Sequence, residues 1–360
     1  MGHFMKRPIS VIITEECNLR CEYCLTSSGK YQKKPLTIDF EFAKVGIKDY
    51  FDSGPFRELR IYSVGESTTQ IDMVRNVVDY AQEISETKVH TELQSNGYFT
   101  HDIAKWLSKN IDTVWISLDG PPEIQDALRK DKKRQDSSKT IKKNIKFLVD
   151  KTEVGIRSTT TSININKQKE LLDYCNSLGV INVASKPVLS PVGTTKDLYS
   201  VDLMDYAQKF LDAWHYAQTI DMYYTCVLIF NFDYATEYAC RACFPTPHLT
   251  PDGFVSACDR AFLGSTPLQE LIYGKWNAEK GLIEYDYEKI RKIRQRKPEF
   301  MPICTNCIAK DFCAGNCLGT GYQETDELLG VSERYCEAIK FLFNEIKPEM
   351  DTCSYKGGHP

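Results

Sequence analysis

Hydrophobic and polar positions along the first half of the chain follow two alternating periods. Short runs rich in β-branched and apolar residues lie at Ile9–Thr14, Glu58–Ser63, Val89–Gln94, Thr113–Leu118, Val154–Thr160 and Val180–Pro187, and each predicts a strand. Between them, apolar residues recur at helical spacing near Asp39–Phe51, Asp72–Ile84, Asp102–Leu107, Ser138–Val149 and Lys167–Leu178. Strands that alternate with helices imply a parallel sheet with the helices outside, an α/β architecture. Six such units are too few to close an eight-stranded barrel, so an open partial (β/α)6 TIM-like barrel is expected. In such sheets the chemistry sits at the carboxyl ends of the strands.

Past Pro187 the rhythm changes. Ser190–Leu198 reads as a loop and Asp202–Ile220 as one long amphipathic helix, and from Cys240 onward cysteines dominate. The expected organisation is an N-terminal extension (1–7), the partial barrel (8–200), a bridging helix and linker (201–236), a small cysteine-rich domain (237–345) and a tail (346–360).

A chain of 360 residues can bury more than one core. Its formal net charge of −4 gives no reason to expect nucleic acid as a partner. No apolar run reaches the length of a membrane span and no signal-peptide core opens the chain, so a cytoplasmic protein is expected. Fourteen cysteines in that compartment read as metal ligands rather than disulfides.

The first cysteines form the stretch Cys17-Asn18-Leu19-Arg20-Cys21-Glu22-Tyr23-Cys24, at the end of the first predicted strand. Three thiolates spaced C-x3-C-x2-C can wrap one face of a [4Fe–4S] cube and leave one iron open. A zinc knuckle or a disulfide loop is the bland alternative, although zinc wants a fourth ligand nearby. After the second strand, the turn Ser63-Val64-Gly65-Glu66-Ser67 offers a glutamate that can accept from an ammonium group. The fourth strand ends in Ser117-Leu118-Asp119-Gly120-Pro121. Arg157, on the fifth, either pairs bidentately with a carboxylate or faces outward. Asp259, in Asp259-Arg260, is either a loop-capping residue or a proton acceptor.

A second cysteine pattern closes the chain. It runs Cys243, nine residues, Gly253, four residues, Cys258, then Cys304-x2-Cys307-x5-Cys313-x3-Cys317 and Cys336. Two closed cubes need eight thiolates, and Cys240 is the natural eighth; Cys226 is a substitute if Cys240 is not one. A pair of zinc ribbons would also use C-x2-C elements. Cys175 lies beside Leu171 and Leu172 on an apolar helix face, where packing is expected, and Cys353 falls in the polar tail.

The two patterns together resemble radical S-adenosylmethionine (SAM) enzymes with a C-terminal SPASM domain, including the aromatic Tyr23 before the third cysteine. The resemblance implies a cluster on Cys17, Cys21 and Cys24 and two auxiliary clusters. One would take Cys240, Cys243, Cys258 and Cys317, the other Cys304, Cys307, Cys313 and Cys336. It implies SAM contacts at Tyr23, Gly65, Glu66, Ser117 and Arg157, although the common Gly-Gly-Glu-Pro motif here has Val64 and Ser67 in its outer positions. It implies that Asp119 orders its loop and that Asp259 takes a proton, as an Asp does at the matching position of sulfatase maturases. The implied chemistry is reductive cleavage of SAM to a 5′-deoxyadenosyl radical, hydrogen-atom abstraction from carbon, and net oxidation or bond formation there.

The continuation Cys24-Leu25-Thr26-Ser27-Ser28-Gly29 is similar to the mycofactocin precursor maturase, and the Ser-x-Asp-Gly-Pro segment to anaerobic sulfatase maturases. Both act on peptides, so a peptide-modifying oxidoreductase is expected. Formylglycine formation of the sulfatase type, a dehydrogenase for a small molecule such as a sugar, and a non-catalytic iron–sulfur carrier or scaffold are the alternatives. A carrier has no need of an open iron. With Ile9 opening the first strand, no winged-helix leader-binding domain of roughly 80 residues fits before it. Leader binding is therefore expected from a separate small protein, with a flavodoxin or ferredoxin as electron donor. The run rich in Lys and Arg between Arg129 and Lys146 is either a solvated helix face or a dock for an acidic leader.

Overall fold

All six predicted barrel strands form, and they form because each presents an apolar outer edge to a helix. The computed structural model describes residues 7–26, 34–188 and 198–352. Its strands are β1 Ile9–Ile12, β2 Leu19–Cys21, β3 Glu58–Tyr62, β4 His90–Ser95, β5 Thr113–Ser117, β6 Arg129–Asp131, β7 Glu153–Thr160, β8 Asn182–Pro187, β9 Tyr223–Cys226, β10 His248–Leu249, β11 Phe254–Ser256, β12 Ile272–Asn277 and β13 Leu282–Tyr285. One sheet runs in the order β13-β12-β11-β10-β1-β3-β4-β5-β7-β8-β9. From β10 to β9 every neighbouring pair is parallel, whereas β10 to β13 are antiparallel. The order is linear, so hydrogen bonding leaves the barrel open.

Successive side chains on a strand point to opposite faces. On the outer face Ile9, Val11, Leu59, Ile61, Leu93, Val114, Ile116 and Ile156 join one core with helix residues such as Phe42, Ile47, Val77, Leu107 and Ile145. Each such side chain contributes roughly 1.5–3 kcal/mol on burial. The helices begin where local chemistry sets them. Asp39 caps Phe40–Asp52 by accepting from the Phe42 amide at 2.9 Å, and Asp202 caps Leu203–Thr219 through the amides of Met204 and Asp205.

The inner face breaks the rule for parallel sheets. Buried parallel strands are ordinarily apolar on both sides, yet here the inward positions include Ser10, Arg60, Tyr62, Glu92, Gln94, Ser117, Arg157 and Lys186. Gly155 leaves room for the Trp115 ring, which a Cβ at that position would approach to 2.4 Å. That polar interior is where the fold gives up stability for something other than a core.

The structure adds to three of the readings above. The C-terminal cysteine-rich region is not separate from the barrel sheet: β10 pairs with β1 in register Ser10↔His248 and Val11↔Leu249, so backbone hydrogen bonding carries the sheet straight into β11–β13. The basic run is not one surface. Arg129 is 7% exposed because β6 pairs with β2, placing it against the cluster loop. Lys130, Lys132 and Arg134 pair with Asp136, Glu16 and Glu22, so local carboxylates answer much of the charge a leader would read. Cys226 is buried in the apolar core. Ser27, Ser28, Gly29, Cys353 and most of the Ser190–Leu198 segment lie outside the described residues. No described helix is long and apolar enough to cross a membrane.

Candidate functional site

Cys17, Cys21 and Cys24 leave the carboxyl end of β1 and lie close enough to one another to feel each other's charge. The loop that carries them is held from three sides. Cys21 belongs to β2, which pairs with β6 in register Cys21↔Arg129. Tyr23 packs with Ile124 and Leu128, and its hydroxyl donates to Asp119. Beneath the loop, the Gly65 amide donates to the Thr14 carbonyl at 3.0 Å and the Glu66 amide to the Glu16 carbonyl at 2.7 Å.

Asp119 is the node of this support. Its side chain is fully buried and takes the Arg129 guanidinium through Nε at 2.7 Å and Nη2 at 3.3 Å. It also accepts from the Thr159 amide at 2.9 Å, which ties β7 to the same carboxylate. Asp119 therefore ties its loop to β6 and β7, and the Tyr23 hydroxyl is bonded to the same node.

Glu66 is bonded within the protein in a similar way. It is 2% exposed, and its carboxylate accepts from the Thr68 amide and hydroxyl, the Ser95 hydroxyl and the Asn96 amide at 2.6–3.0 Å. Burial raises its pKa against those four donors. The side chain staples two strand-end loops together and is a positioning residue. Gly65 has no space for a side chain: a Cβ would lie 2.0 Å from the Glu16 carbonyl oxygen and 2.4 Å from that of Glu15. Gly65→Ala is therefore expected to push the cluster loop off its seat and to cost about 1–3 kcal/mol or more by overpacking. A denaturation midpoint and an iron content equal to those of the unaltered protein would refute this.

Ser117 and Arg157 face each other across β5 and β7 in register. Arg157 donates from Nη1 to Gln94 Oε1 at 3.0 Å, and the same oxygen accepts from Arg60 Nη2 at 3.1 Å. One amide thus holds two guanidinium groups together. Arg60 also pairs with Glu92 at 3.0 Å and stands 4.0 Å from Asp259. Burial and the neighbouring Arg60 pull Arg157 down to about 10, and burial with Arg157 pulls Lys186 down to about 8. Asp259 keeps 46% of its side-chain surface open beside the buried Arg60. Burial pushes its pKa up, but Arg60 and Arg241 override this and hold the carboxylate well below its ordinary range.

The C-terminal cysteines fall into two sets. Cys240 neighbours Cys243, Cys317 and Cys258, while Cys304, Cys307, Cys313 and Cys336 neighbour one another. Cys226 sits with Tyr206 instead, away from either set. Cys258 Sγ lies 3.8 Å from Asp259, so one thiol quartet borders the barrel interior.

Among the described residues, no three His, Cys, Asp or Glu side chains converge as a single ion requires. Soft thiols in sets of three, four and four that adjoin without converging fit cubes, whose irons sit on separate corners. Arg296 supports the fit. It is 0% exposed, donates to the carbonyls of Gly315, Asn316, Leu328 and Gly330, and stands 3.9 Å from Cys243 Sγ. Those partners carry no formal charge, and a buried guanidinium needs an anion; thiolates ligating iron would supply one.

The site residues that motif reading missed are Arg60, Glu92, Lys186, Arg241 and His248. The signal was present as single charged residues inside apolar strands, such as Leu59-Arg60-Ile61 and Thr91-Glu92-Leu93.

Residues 11–178 match the family profile of the radical SAM superfamily. The radical SAM cyclopropyl synthase TigE of Paramaledivibacter caminithermalis is 24% identical over 368 residues, covering 94% of this chain and 74% of that protein. A cysteine-type anaerobic sulfatase-maturating enzyme of Clostridium novyi is 25% identical over 217 residues, 56% of this chain and 57% of its own length. Among solved structures, native anSMEcpe with bound AdoMet superposes with a TM-score of 0.77 at 20% identity, over 96% of this chain and 98% of that one. Streptococcus suis SuiB bound to its precursor peptide SuiA gives 0.67 at 18% identity, over 92% and 76%. The three thiols at the end of β1, the strand-end loops beneath them and the profile match agree: residues 11–178 form a domain of the radical SAM superfamily.

Proposed function

We propose that this enzyme removes a hydrogen atom from a ribosomally made peptide and leaves an oxidised residue, such as a crosslink or a decarboxylated position. The observation that carries the reading is the arrangement itself: three thiols at the carboxyl end of β1, a charged inner sheet face, and a thiol quartet joined to that face through Cys258 and Asp259. The relatives support a peptide as the substrate class, since anSMEcpe and SuiB have both been solved with peptides bound.

In this reading Cys17, Cys21 and Cys24 hold the open [4Fe–4S] cluster, and the two quartets hold two auxiliary clusters, with Cys240 rather than Cys226 as the eighth ligand. Bound there, the reduced cluster and SAM supply a 5′-deoxyadenosyl radical, and the auxiliary clusters supply an acceptor for the electron released on oxidation. The chain's own residues do the rest. Ser117 and Arg157 receive the carboxylate of SAM, and Gly65 with Glu66 keeps the loop under the cysteines at one height. Tyr23 acts through its bond to Asp119, which fixes the loop between the second and third cysteines. The charged cavity excludes water and orients the target C–H bond. Asp259, between Arg60 and Cys258, takes the proton that leaves with oxidation. A separate leader-binding protein and a flavodoxin or ferredoxin donor belong to the same proposal.

The enzyme, reconstituted anaerobically and reduced, is expected to convert SAM to 5′-deoxyadenosine and to modify a precursor peptide. Asp259→Asn is expected to keep the iron and SAM cleavage uncoupled from product, with peptide modification lost. Mass spectrometry showing a fully modified peptide from that variant would reduce Asp259 to a loop-capping residue.

A further inference from the structure

Four buried polar atoms on the inner wall have no hydrogen-bond partner among the described residues: Ser10 Oγ, Tyr62 Oη, Arg241 Nη2 and His248 Nε2. They belong together. Ser10 is the register partner of His248 on one side and of Arg60 on the other. Tyr62 stands two residues further along β3, its ring 6.3 Å from His248 and 5.2 Å from the Arg60 guanidinium. Arg241 reaches the start of β1, donating from Nη1 to the Pro8 carbonyl at 3.3 Å. A buried donor or acceptor left unpaired is costly. Four on one wall mark a seat built for a ligand.

The chemistry of the seat is specific. His248 Nδ1 lies 2.9 Å from the Thr246 carbonyl, so that nitrogen carries the proton and Nε2 is an acceptor. Arg241, Tyr62 and Ser10 supply donors. The wall therefore asks for an anion with an N–H beside it. Charge points the same way, because Arg60, Arg157, Arg241 and Lys186 stand in mutual electrostatic contact on this wall, with the carboxylates of Glu92 and Asp259 among them. In an unmodified peptide, the anion with an adjoining amide N–H is a carboxylate.

We propose that Ser10, Tyr62, Arg241 and His248, flanked by Arg60, form the seat for a substrate carboxylate carried by a peptide, either an acidic side chain or the C-terminal carboxyl group, with the adjoining amide N–H donating to His248. This rests on the peptide reading above and narrows it to an acid-bearing position.

Three blocked peptides distinguish the sources: a glycine–aspartate–glycine amide, the same peptide with asparagine, and triglycine with a free C-terminus. Their binding to the anaerobic, cluster-loaded enzyme with SAM is measured by calorimetry, with succinate as a fourth ligand. At least one acid-bearing peptide is expected to bind about tenfold tighter than the asparagine amide, the size of one charge-assisted hydrogen bond. Arg241→Gln and Tyr62→Phe are each expected to erase that preference. Because Arg241 adjoins a cluster cysteine, Tyr62→Phe is the deciding variant if R241Q loses iron; it removes one hydroxyl and keeps the ring. An asparagine amide that binds as well as both acids overturns the proposal, as does a preference that survives Tyr62→Phe at full iron content. Succinate that binds while all three peptides fail supports the carboxylate seat and sinks the peptide reading instead. A wild-type enzyme that leaves SAM intact sinks the radical reading whatever the binding shows.

Discussion

Replacing Cys17, Cys21 and Cys24 with alanine is expected to abolish SAM cleavage outright and to lower iron from about twelve to about eight per chain, at four irons per cube. The reason is geometric. The three thiols are the donors at the carboxyl end of β1, and the C-terminal quartets are separate sets of thiols, one of them reaching Asp259 through Cys258. The remaining irons should stay, because the quartets draw on residues 240–336 and are cradled by Arg296 rather than by the cluster loop. Iron assay and 5′-deoxyadenosine quantified by chromatography read the two halves separately. SAM cleavage by the triple variant would remove the central assignment; loss of all iron would show that the three sites are not independent.

The second large effect is expected at Asp119. Asp119→Ala leaves the Arg129 guanidinium buried with no carboxylate, and breaking a buried pair by removing one partner costs about 3–5 kcal/mol. The same change frees the Tyr23 hydroxyl and the Thr159 amide, so the cluster loop loses its anchor along with the fold's stability. Urea unfolding should show a lower midpoint with little change in slope. Asp119→Leu combined with Arg129→Met is expected to regain much of the midpoint without regaining SAM cleavage, because apolar replacement of both partners removes the orphaned charge but not the need for the anchor. A single variant with the midpoint of the unaltered protein would show that water reaches Arg129 and that the node is dispensable.

The sequence by itself determined what depends on neighbours along the chain. Strand and helix periods are local, so the six barrel strands and their connecting helices could be read directly. The cysteine spacings are local too, and so is the turn at Gly65. Only the tertiary structure decided which distant residues meet. The parallel pairing of β1 with β10 joins residues 238 apart in the chain, Ser10 and His248, and no pattern near either one announces it. That pairing merges the C-terminal strands into the barrel sheet and completes the wall with Arg241. Register across β3, β4, β5 and β7 gathers Arg60, Glu92, Gln94 and Arg157, each of which alone reads as an ordinary polar strand residue. Burial separated Cys226, which packs in the core, from Cys240, which stands with three other thiols. It also took Arg129 out of the basic run and Glu66 out of the solvent. Charge in a folded chain acts through space over a few ångströms, and the sequence orders residues only by bonds, so the cavity's chemistry becomes legible once the sheet has folded around it.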